Sequence, residues 1–387
     1  MLTVGLLGVL VVGIVAYVRS RPPEFDTVCH FEEQEVRQDQ PTTDVHFPPP
    51  SNEVGQTEQG QSLPPNDDAQ QAEQGQSLPL FTWDQLASRV GFGLTGSQDV
   101  ETWARRLGAG WYVDWTFRLR HPTELPEHWQ MVRLARGCVA PSRENIRWLA
   151  QHYSGNVWII GNEPDNRLQD NIVPEEYAQV YHDLYYLIKD ADSTASVAVG
   201  GVTQGTPLRL AYLDRVLAAY LALYEEPMPV DWWTLHGFVL REERGNWGAG
   251  IPAGFLLENQ GKLYDVSDSG DLINFQEQII AFRSWMADNG YRNNPLAITE
   301  FGILTDSEYG YTPDVVAQYL HETFEWLEEA SDDETGYPDD ENRLVQRWAW
   351  FSLSDPLYPG TSLANLQADA LTEIGQAFRE YNWERRH

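Results

Sequence analysis

Two short segments of the chain each deliver a single glutamate at the end of an apolar run. Residues 157–165 read Val-Trp-Ile-Ile-Gly-Asn-Glu-Pro-Asp and contain Glu163, and residues 295–302 read Pro-Leu-Ala-Ile-Thr-Glu-Phe-Gly and contain Glu300. A strand-length apolar run that stops at Pro or Gly is how a barrel strand presents a carboxylate at its C-terminal rim. Two such carboxyl groups could cleave a glycosidic bond, because one protonates the leaving oxygen while the other attacks or stabilises an oxocarbenium-like centre.

Each motif alone has a structural alternative, since any apolar strand of a parallel sheet ends in a polar residue and glutamate is a common choice. A short motif is a hypothesis that needs its structural context. Both glutamates fall where strand ends are expected on independent grounds, and the pair together therefore favours catalysis.

The elements that would position these glutamates alternate along the chain after Leu80, as short apolar runs followed by longer amphipathic segments. This alternation is typical of a parallel sheet wrapped by helices. The candidate strands are residues 90–95, 111–117, 130–135, 156–161, 196–202, 230–237, 296–300 and 345–352. They predict a (β/α)8 TIM barrel over residues 80–387, a length that one such barrel accommodates.

Helix starts fall between the candidate strands. Ser142 should cap a helix that ends near His152, Pro174 should open the next, and Thr312 followed by Pro313 should start another that runs to about Glu329. Ser and Thr at the cap and Pro in the first turn are the expected signals. The third strand has the weakest pattern, because residues 130–135 could equally be helical.

The N-terminal part of the chain differs in composition from the rest. Residues 2–18 are apolar and uncharged and are followed by Arg19 and Arg21, and no small-residue cleavage site follows them. This pattern predicts an uncleaved transmembrane anchor over residues 1–21. The arginines by themselves would hold the main domain in the cytoplasm, whereas glycan chemistry favours the outside. We expect a membrane-anchored protein with an extracellular catalytic domain.

Residues 22–79 are rich in Pro, Gln and Glu and have almost no apolar periodicity. The segment 58–64, Glu-Gln-Gly-Gln-Ser-Leu-Pro, recurs at residues 73–79. Such a composition cannot bury enough surface to offset the entropy of ordering, and it predicts a disordered linker between the anchor and the domain.

Overall composition limits the partners. The formal net charge of −32, from 58 acidic and 26 basic residues, argues against a nucleic-acid partner. Solubility explains the acidity, and a neutral carbohydrate substrate remains compatible with it. The 15 Trp, 18 Tyr and 14 Phe can pack a large core and stack on sugar faces. We expect a monomeric catalytic domain.

No cofactor is predicted, and no metal site. The two cysteines, Cys29 and Cys138, are far apart in sequence, and clustered Cys and His ligands of a zinc site are absent. The acidic residues around 332–341 precede the last strand, and we interpret them as a solvated loop instead of a calcium site.

Strand ends supply the remaining candidates, because barrel enzymes build their sites on the loops that follow the strands. Trp115 follows the second strand, Asn162 precedes Glu163 after the fourth, and His236 ends the sixth. The connection 239–271 is longer than usual and carries Trp247, and it either lines a substrate cleft or packs on its own side chains. We predict that Trp115 and Trp247 bind substrate.

Taken together, the motifs resemble the retaining glycoside hydrolases of clan A, (β/α)8 enzymes that place Asn-Glu after strand four and a second Glu after strand seven. The resemblance rests on four segments, which are most similar to glucanase-type catalytic cores: residues 161–165, 230–236, 298–302 and 347–352. The resemblance implies a hydrolase that cleaves β-glycosidic bonds with retention, and the predicted anchor would tether this hydrolase to a membrane.

Carried over residue by residue, the resemblance makes Glu163 the general acid/base and Glu300 the nucleophile. Asn162 would bind the sugar 2-hydroxyl, and His236 would contact the nucleophile region. Trp350 would be the strand-eight aromatic that forms the floor of the sugar subsite. A satisfied core histidine and a core tryptophan are the alternatives for the last two residues.

One departure and two rival functions accompany this resemblance. The second strand ends in Asp114 and Trp115 without an arginine beside the nucleophile, since Arg118 and Arg120 lie past the expected rim. A glycan-binding barrel without turnover would keep the cleft and its aromatic residues. A metal-dependent hydrolase would need His-x-His on the first strand, and residues 91–95 contain none.

Overall fold

Eight parallel strands form the barrel that the sequence predicts. The computed structural model describes residues 79–96, 98–115, 124–134 and 139–385. The strands are β1 Ala87–Leu94, β2 Ala109–Asp114, β3 Glu127–Val132, β4 Val157–Ile160, β5 Ser196–Val199, β6 Trp233–His236, β7 Leu296–Phe301 and β8 Arg347–Trp350. They follow one another around the sheet in the order β5-β4-β3-β2-β1-β8-β7-β6. Backbone hydrogen bonds from His236 to Val202 and from Val199 to Trp232 join β5 to β6, so the sheet curls into a ring.

Helices cover the outside of the ring. Within the described residues they are α1 Val100–Leu107, α2 Arg143–His152, α3 Pro174–Ala191, α4 Pro207–Tyr224, α5 Leu272–Asp288, α6 Pro313–Glu329 and α7 Glu373–Glu384. The three helix starts predicted at Ser142, Pro174 and Pro313 are confirmed. A short antiparallel pair, β9 Ala364–Asn365 and β10 Ala370–Leu371, precedes α7.

The apolar core has two layers, as barrel geometry requires. Alternate strand residues point into the ring and form a cluster of Trp111, Val113, Trp129, Met131, Val157, Ile159, Ala198, Ala297 and Ala349. The residues between them point outward and pack against the helices in a larger cluster. A packed interior fixes the strand ends, which is what a site on the rim needs.

Most strand boundaries differ from the predicted ones, and two of these differences have identifiable reasons. Strand β3 begins at Glu127 instead of residue 130, because the Glu127 carboxylate is paired with Arg347 at 2.8 Å and accepts the Trp129 indole N–H at 3.0 Å. Strand β6 begins only at Trp233, because the Asp231 side chain accepts hydrogen bonds from Val197 N and Lys189. The side-chain contacts of Glu127 and Asp231 thus set the starts of β3 and β6, which the apolar pattern of the sequence does not predict.

The predicted anchor, residues 1–21, lies outside the described residues, and so do Cys29, Cys138 and the predicted linker up to residue 78. In the part of the chain that the structure describes, no helix combines the length and the apolar character that crossing a membrane requires. The acidic run lies in an exposed loop before β8, where Asp332 accepts hydrogen bonds from Glu334 and Thr335.

Candidate active site

The turn after β4 places Glu163 at the rim. All four residues of β4 are buried between β3 and β5. The strand ends at Gly161, whose φ of 91° lies in the region that favours glycine, and Glu163 itself has a φ of 43°. The Glu163 amide donates to Gly201 O at 3.1 Å, and the residue is only 4% exposed. Residues whose backbone is held in such an uncommon conformation by the surrounding structure are found mainly at functional sites.

Glu300 reaches the same rim from β7. Strands β6 and β7 pair Leu235 with Ile298 and then His236 with Glu300, so β7 carries one extra residue between the two pairs. Such a bulge changes the direction of a side chain at the end of a strand. Glu300 is 5% exposed, and its Oε1 accepts the Trp115 indole N–H at 3.0 Å.

His236 links the two glutamates. Its Nδ1 lies 2.9 Å from Glu163 Oε1, and its Nε2 lies 3.4 Å from Glu300 Oε1. One atom from each of the three side chains can be chosen so that all lie within 4.8 Å of one another. Both ring nitrogens of the imidazole thus face a carboxylate, and the three side chains lie close enough together to ligate a metal ion.

Burial and mutual charge set the ionisation of this cluster. Burial raises the pKa of Glu300 to about 7, and the Glu163 charge adds to this rise, while His236 and the Trp115 hydrogen bond oppose it. Burial alone would lower the pKa of His236, but the charges of Glu300 and Glu163 outweigh it and raise that pKa above its ordinary value. The ionisation of Glu300 and that of His236 are therefore linked.

Asn162 and Asn166 complete the surroundings of the carboxylates. Asn162 Oδ1 accepts the Trp115 indole N–H at 3.2 Å, and its Nδ2 donates to Gln169 at 3.2 Å. Asn166 Nδ2 donates to Glu163 Oε2 at 2.7 Å. Asn162 is predicted from the sequence and Asn166 is not, although Asn166 lies in the same loop after β4, where site residues are expected.

A buried ion-pair network supports this loop from behind. Asp165, Arg209 and Glu242 are each 0% exposed. Arg209 lies 3.1 Å from Asp165 and 2.9 Å from Glu242, and it also donates to the carbonyl oxygens of Asp165 and Gly250. The network therefore joins the loop after β4 to the long connection after β6.

Aromatic residues line the pocket beside the cluster. The Phe351 ring packs edge-to-face against Trp115 at 5.5 Å, Phe238 at 6.0 Å and Tyr358 at 6.1 Å. Phe238 also packs edge-to-face against His236 at 6.0 Å. These rings place apolar side chains beside His236 and Trp115.

The fold is similar to that of solved endo-beta-1,3-glucanases. A GH128 (subgroup II) endo-beta-1,3-glucanase from Sorangium cellulosum is 17% identical, with 76% of this chain and 98% of that chain covered and a TM-score of 0.50. The corresponding enzyme from Pseudomonas viridiflava is also 17% identical, with 76% and 97% covered and a TM-score of 0.50. The sequence matches no model of a known protein family and no curated protein. At this identity the similarity establishes the barrel fold.

The structure brings five of the predicted site residues together, which are Glu163, Glu300, Asn162, His236 and Trp115. Trp350 is not among them. It is 0% exposed and packs on the outer side of β8 against Phe301 and Phe324, with its indole N–H donated to Thr361 O at 2.9 Å. The structure thus places Trp350 in the core between barrel and helices, and it puts Phe351 at the pocket instead.

Trp247 lies in the long connection after β6 and is 8% exposed. Its neighbour Asn246 accepts a hydrogen bond from Arg167 through its carbonyl oxygen at 3.4 Å. Phe255 and Tyr264 of the same connection are buried as well, at 7% and 8% exposure. The aromatic residues of this connection thus pack largely into the protein.

Proposed function

We propose that the chain is a glycoside hydrolase that cleaves β-glycosidic bonds of a glucan with retention of configuration. The observation that carries the proposal is the buried arrangement of Glu163 and Glu300, from β4 and β7, around one histidine. Two carboxyl groups that share one pocket but have different partners are the requirement of glycosidic bond cleavage.

The spacing of the carboxylates supports the retaining mechanism. One oxygen of Glu163 and one of Glu300 lie within 4.8 Å. Retaining enzymes hold their carboxyl groups about 5–5.5 Å apart, whereas inverting enzymes need roughly 6.5–9.5 Å to admit a water between acid and base. The short distance between these two oxygens supports the retaining arrangement over the inverting one.

In the proposed reaction, a carboxylate oxygen of Glu300 attacks the anomeric carbon as the glycosidic C–O bond breaks. The leaving oxygen takes its proton from Glu163, which is hydrogen-bonded to both His236 and Asn166. Glu163 then removes a proton from water, and the hydroxide releases the sugar from Glu300. In this scheme Asn162 would contact the sugar 2-hydroxyl.

Composition and fold support a neutral glucan as the substrate class. A net charge of −32 disfavours acidic polysaccharides, and the aromatic pocket suits neutral sugar rings. The neighbours of similar fold are named endo-beta-1,3-glucanases, so β-1,3-glucans are the first substrates to test.

The test is a screen of the full-length chain in detergent against β-1,3-glucans, β-1,4-glucans, mannans and xylans, with the anomeric form of the first product followed by NMR. Glu300→Ala should abolish turnover on every substrate. Glu163→Ala should spare activated aryl glycosides, which need no proton to leave, and azide should accelerate it by replacing the base-activated water. Glu226→Gln, on the surface, is the matched control.

Several outcomes would contradict the proposal. An inverted first product would exclude retention. Equal losses in the Glu163 and Glu300 variants without any azide effect would exclude the assigned roles. Sugar binding by a wild-type chain without turnover would instead support a glycan-binding barrel.

We further propose that residues 1–21 tether the chain to a membrane with the catalytic domain outside. The support is the uncharged apolar run of residues 2–18 and the composition of residues 22–79, which suits a spacer. Protease added to intact cells should release the domain. A domain protected until the cells are lysed would contradict this orientation.

A further inference from the structure

The indole N–H of Trp115 contacts two groups of the site at once. It donates to Glu300 Oε1 at 3.0 Å and to Asn162 Oδ1 at 3.2 Å. We propose that Trp115 is a positioning residue that holds the nucleophile through this N–H, and that ring stacking on the sugar is not its main role. This inference rests on the proposed function.

The surroundings of Trp115 fix the indole in place. The residue directly follows Asp114, the fully buried last residue of β2. A Cβ added to Gly93 would lie 2.9 Å from Trp115 Cη2, so the ring uses the space that this glycine leaves. Phe351 also packs edge-to-face against the indole, at 5.5 Å between ring centroids. A donor held this firmly loses little entropy when it orients a carboxylate.

The contacts also select the attacking oxygen. Trp115 and His236 Nε2 both lie against Oε1 of Glu300, at 3.0 and 3.4 Å. Both of these contacts are made to the same oxygen of the carboxylate. Oε1 is therefore the anchored oxygen, and Oε2 is the one that forms the bond to the anomeric carbon while Glu163 protonates the leaving oxygen.

The groups around Glu300 explain why the loss of the Trp115 N–H should change the ionisation of this carboxyl group. Glu300 faces the titratable groups of His236 and Glu163, and the cation of Arg133 also acts on it. Burial raises the pKa of Glu300, and the Trp115 hydrogen bond is one of the contributions that lower it. Loss of the N–H should therefore raise the pKa of the nucleophile further and leave less of it ionised at a given pH.

The experiment compares Trp115→Phe with the wild-type chain on an activated aryl β-glycoside and on the best oligosaccharide from the substrate screen. Phenylalanine keeps an apolar ring but has no N–H. We expect kcat/KM to fall about 10- to 100-fold, as for a lost hydrogen bond to a charged acceptor, with KM changed less than about twofold. The acid limb of the pH profile should move to higher pH.

Trp285→Phe is the matched control. It removes an indole N–H that donates to the Asp214 carboxylate at 2.7 Å, between helices α5 and α4 and outside the pocket. This variant should lose some thermal stability and keep the wild-type pH profile. The comparison separates the effect of a lost donor on the fold from its effect on the nucleophile.

The outcomes distinguish the inference from the proposed function. An active Trp115→Phe variant with wild-type kcat/KM and pH profile, together with a raised KM in Trp115→Ala, would overturn the inference and identify a stacking platform. A wild-type chain without turnover on any glycan would overturn the proposed function and the inference with it.

Discussion

Replacement of Arg209 by methionine should strongly destabilise the barrel. Arg209 is the cation between two carboxylates, Asp165 and Glu242, and all three residues are 0% exposed. Removal of one partner from a buried ion pair costs about 3–5 kcal/mol, because the other charge stays buried without compensation. Arg209 also donates to Asp165 O and Gly250 O, so we expect a loss of about 5 kcal/mol.

Thermal and denaturant unfolding of the full chain measure this loss. A domain of this size shifts its Tm by roughly 2 °C for each kcal/mol, so the Tm of Arg209→Met should fall by about 10 °C. Arg143→Met is the control, because Arg143 pairs with Asp183 at a site where the side chains are 47% and 51% exposed. That pair should contribute at most about 1 kcal/mol.

A triple variant tests the electrostatic cause directly. If uncompensated charge is the reason, the addition of Asp165→Asn and Glu242→Gln to Arg209→Met should recover part of the lost stability, because the buried acids are then neutral. Equal losses in Arg209→Met and Arg143→Met would refute the reasoning. A triple variant no more stable than the single one would assign the loss to packing alone.

Three further predictions follow from the site and the domain limits. Because burial raises the pKa of Glu300 to about 7 and the nucleophile must be ionised, kcat/KM should fall as pH drops through about 7; a flat profile between pH 5 and 8 would contradict this. Trp350→Phe should cost about 1–3 kcal/mol in unfolding experiments while kcat/KM stays within twofold, since Trp350 lies in the core; a selective rise in KM would show a subsite role instead. Deletion of residues 1–78 should leave one cooperative melt at an unchanged Tm, which calorimetry can check, and loss of folding would show that this segment packs on the barrel.

The sequence was sufficient for the barrel and for the two glutamates, because both depend on local pattern. Buried parallel strands are short apolar runs, and a polar residue at the end of such a run marks the rim. The structure places Trp350 in the core instead of at the predicted sugar subsite, and the alternation of side chains along β8 explains this position. Side chains alternate along a strand, so an inward Ala349 puts Phe351 inward and Trp350 outward.

The ion-pair network was beyond sequence reasoning. Arg209 lies in the first turn of α4, where an arginine is normally a solvated surface residue. Its partners lie far from it in sequence, in the loops that follow two other strands. Only the packing of those loops reveals that all three charges are buried together. The contact of Asn166 with Glu163 likewise depends on the exact course of one loop.

The order of the strands explains why one histidine can reach both glutamates. Strands β4 and β7 are separated around the ring by β5 and β6, and His236 ends β6. Residues 200 and 201, which follow β5, are both glycine; a Cβ on Gly201 would lie 2.7 Å from His236 Cδ2. Any larger residue there would push the imidazole away from Glu163. The backbone after β5 therefore leaves the space in which His236 can contact both carboxylates.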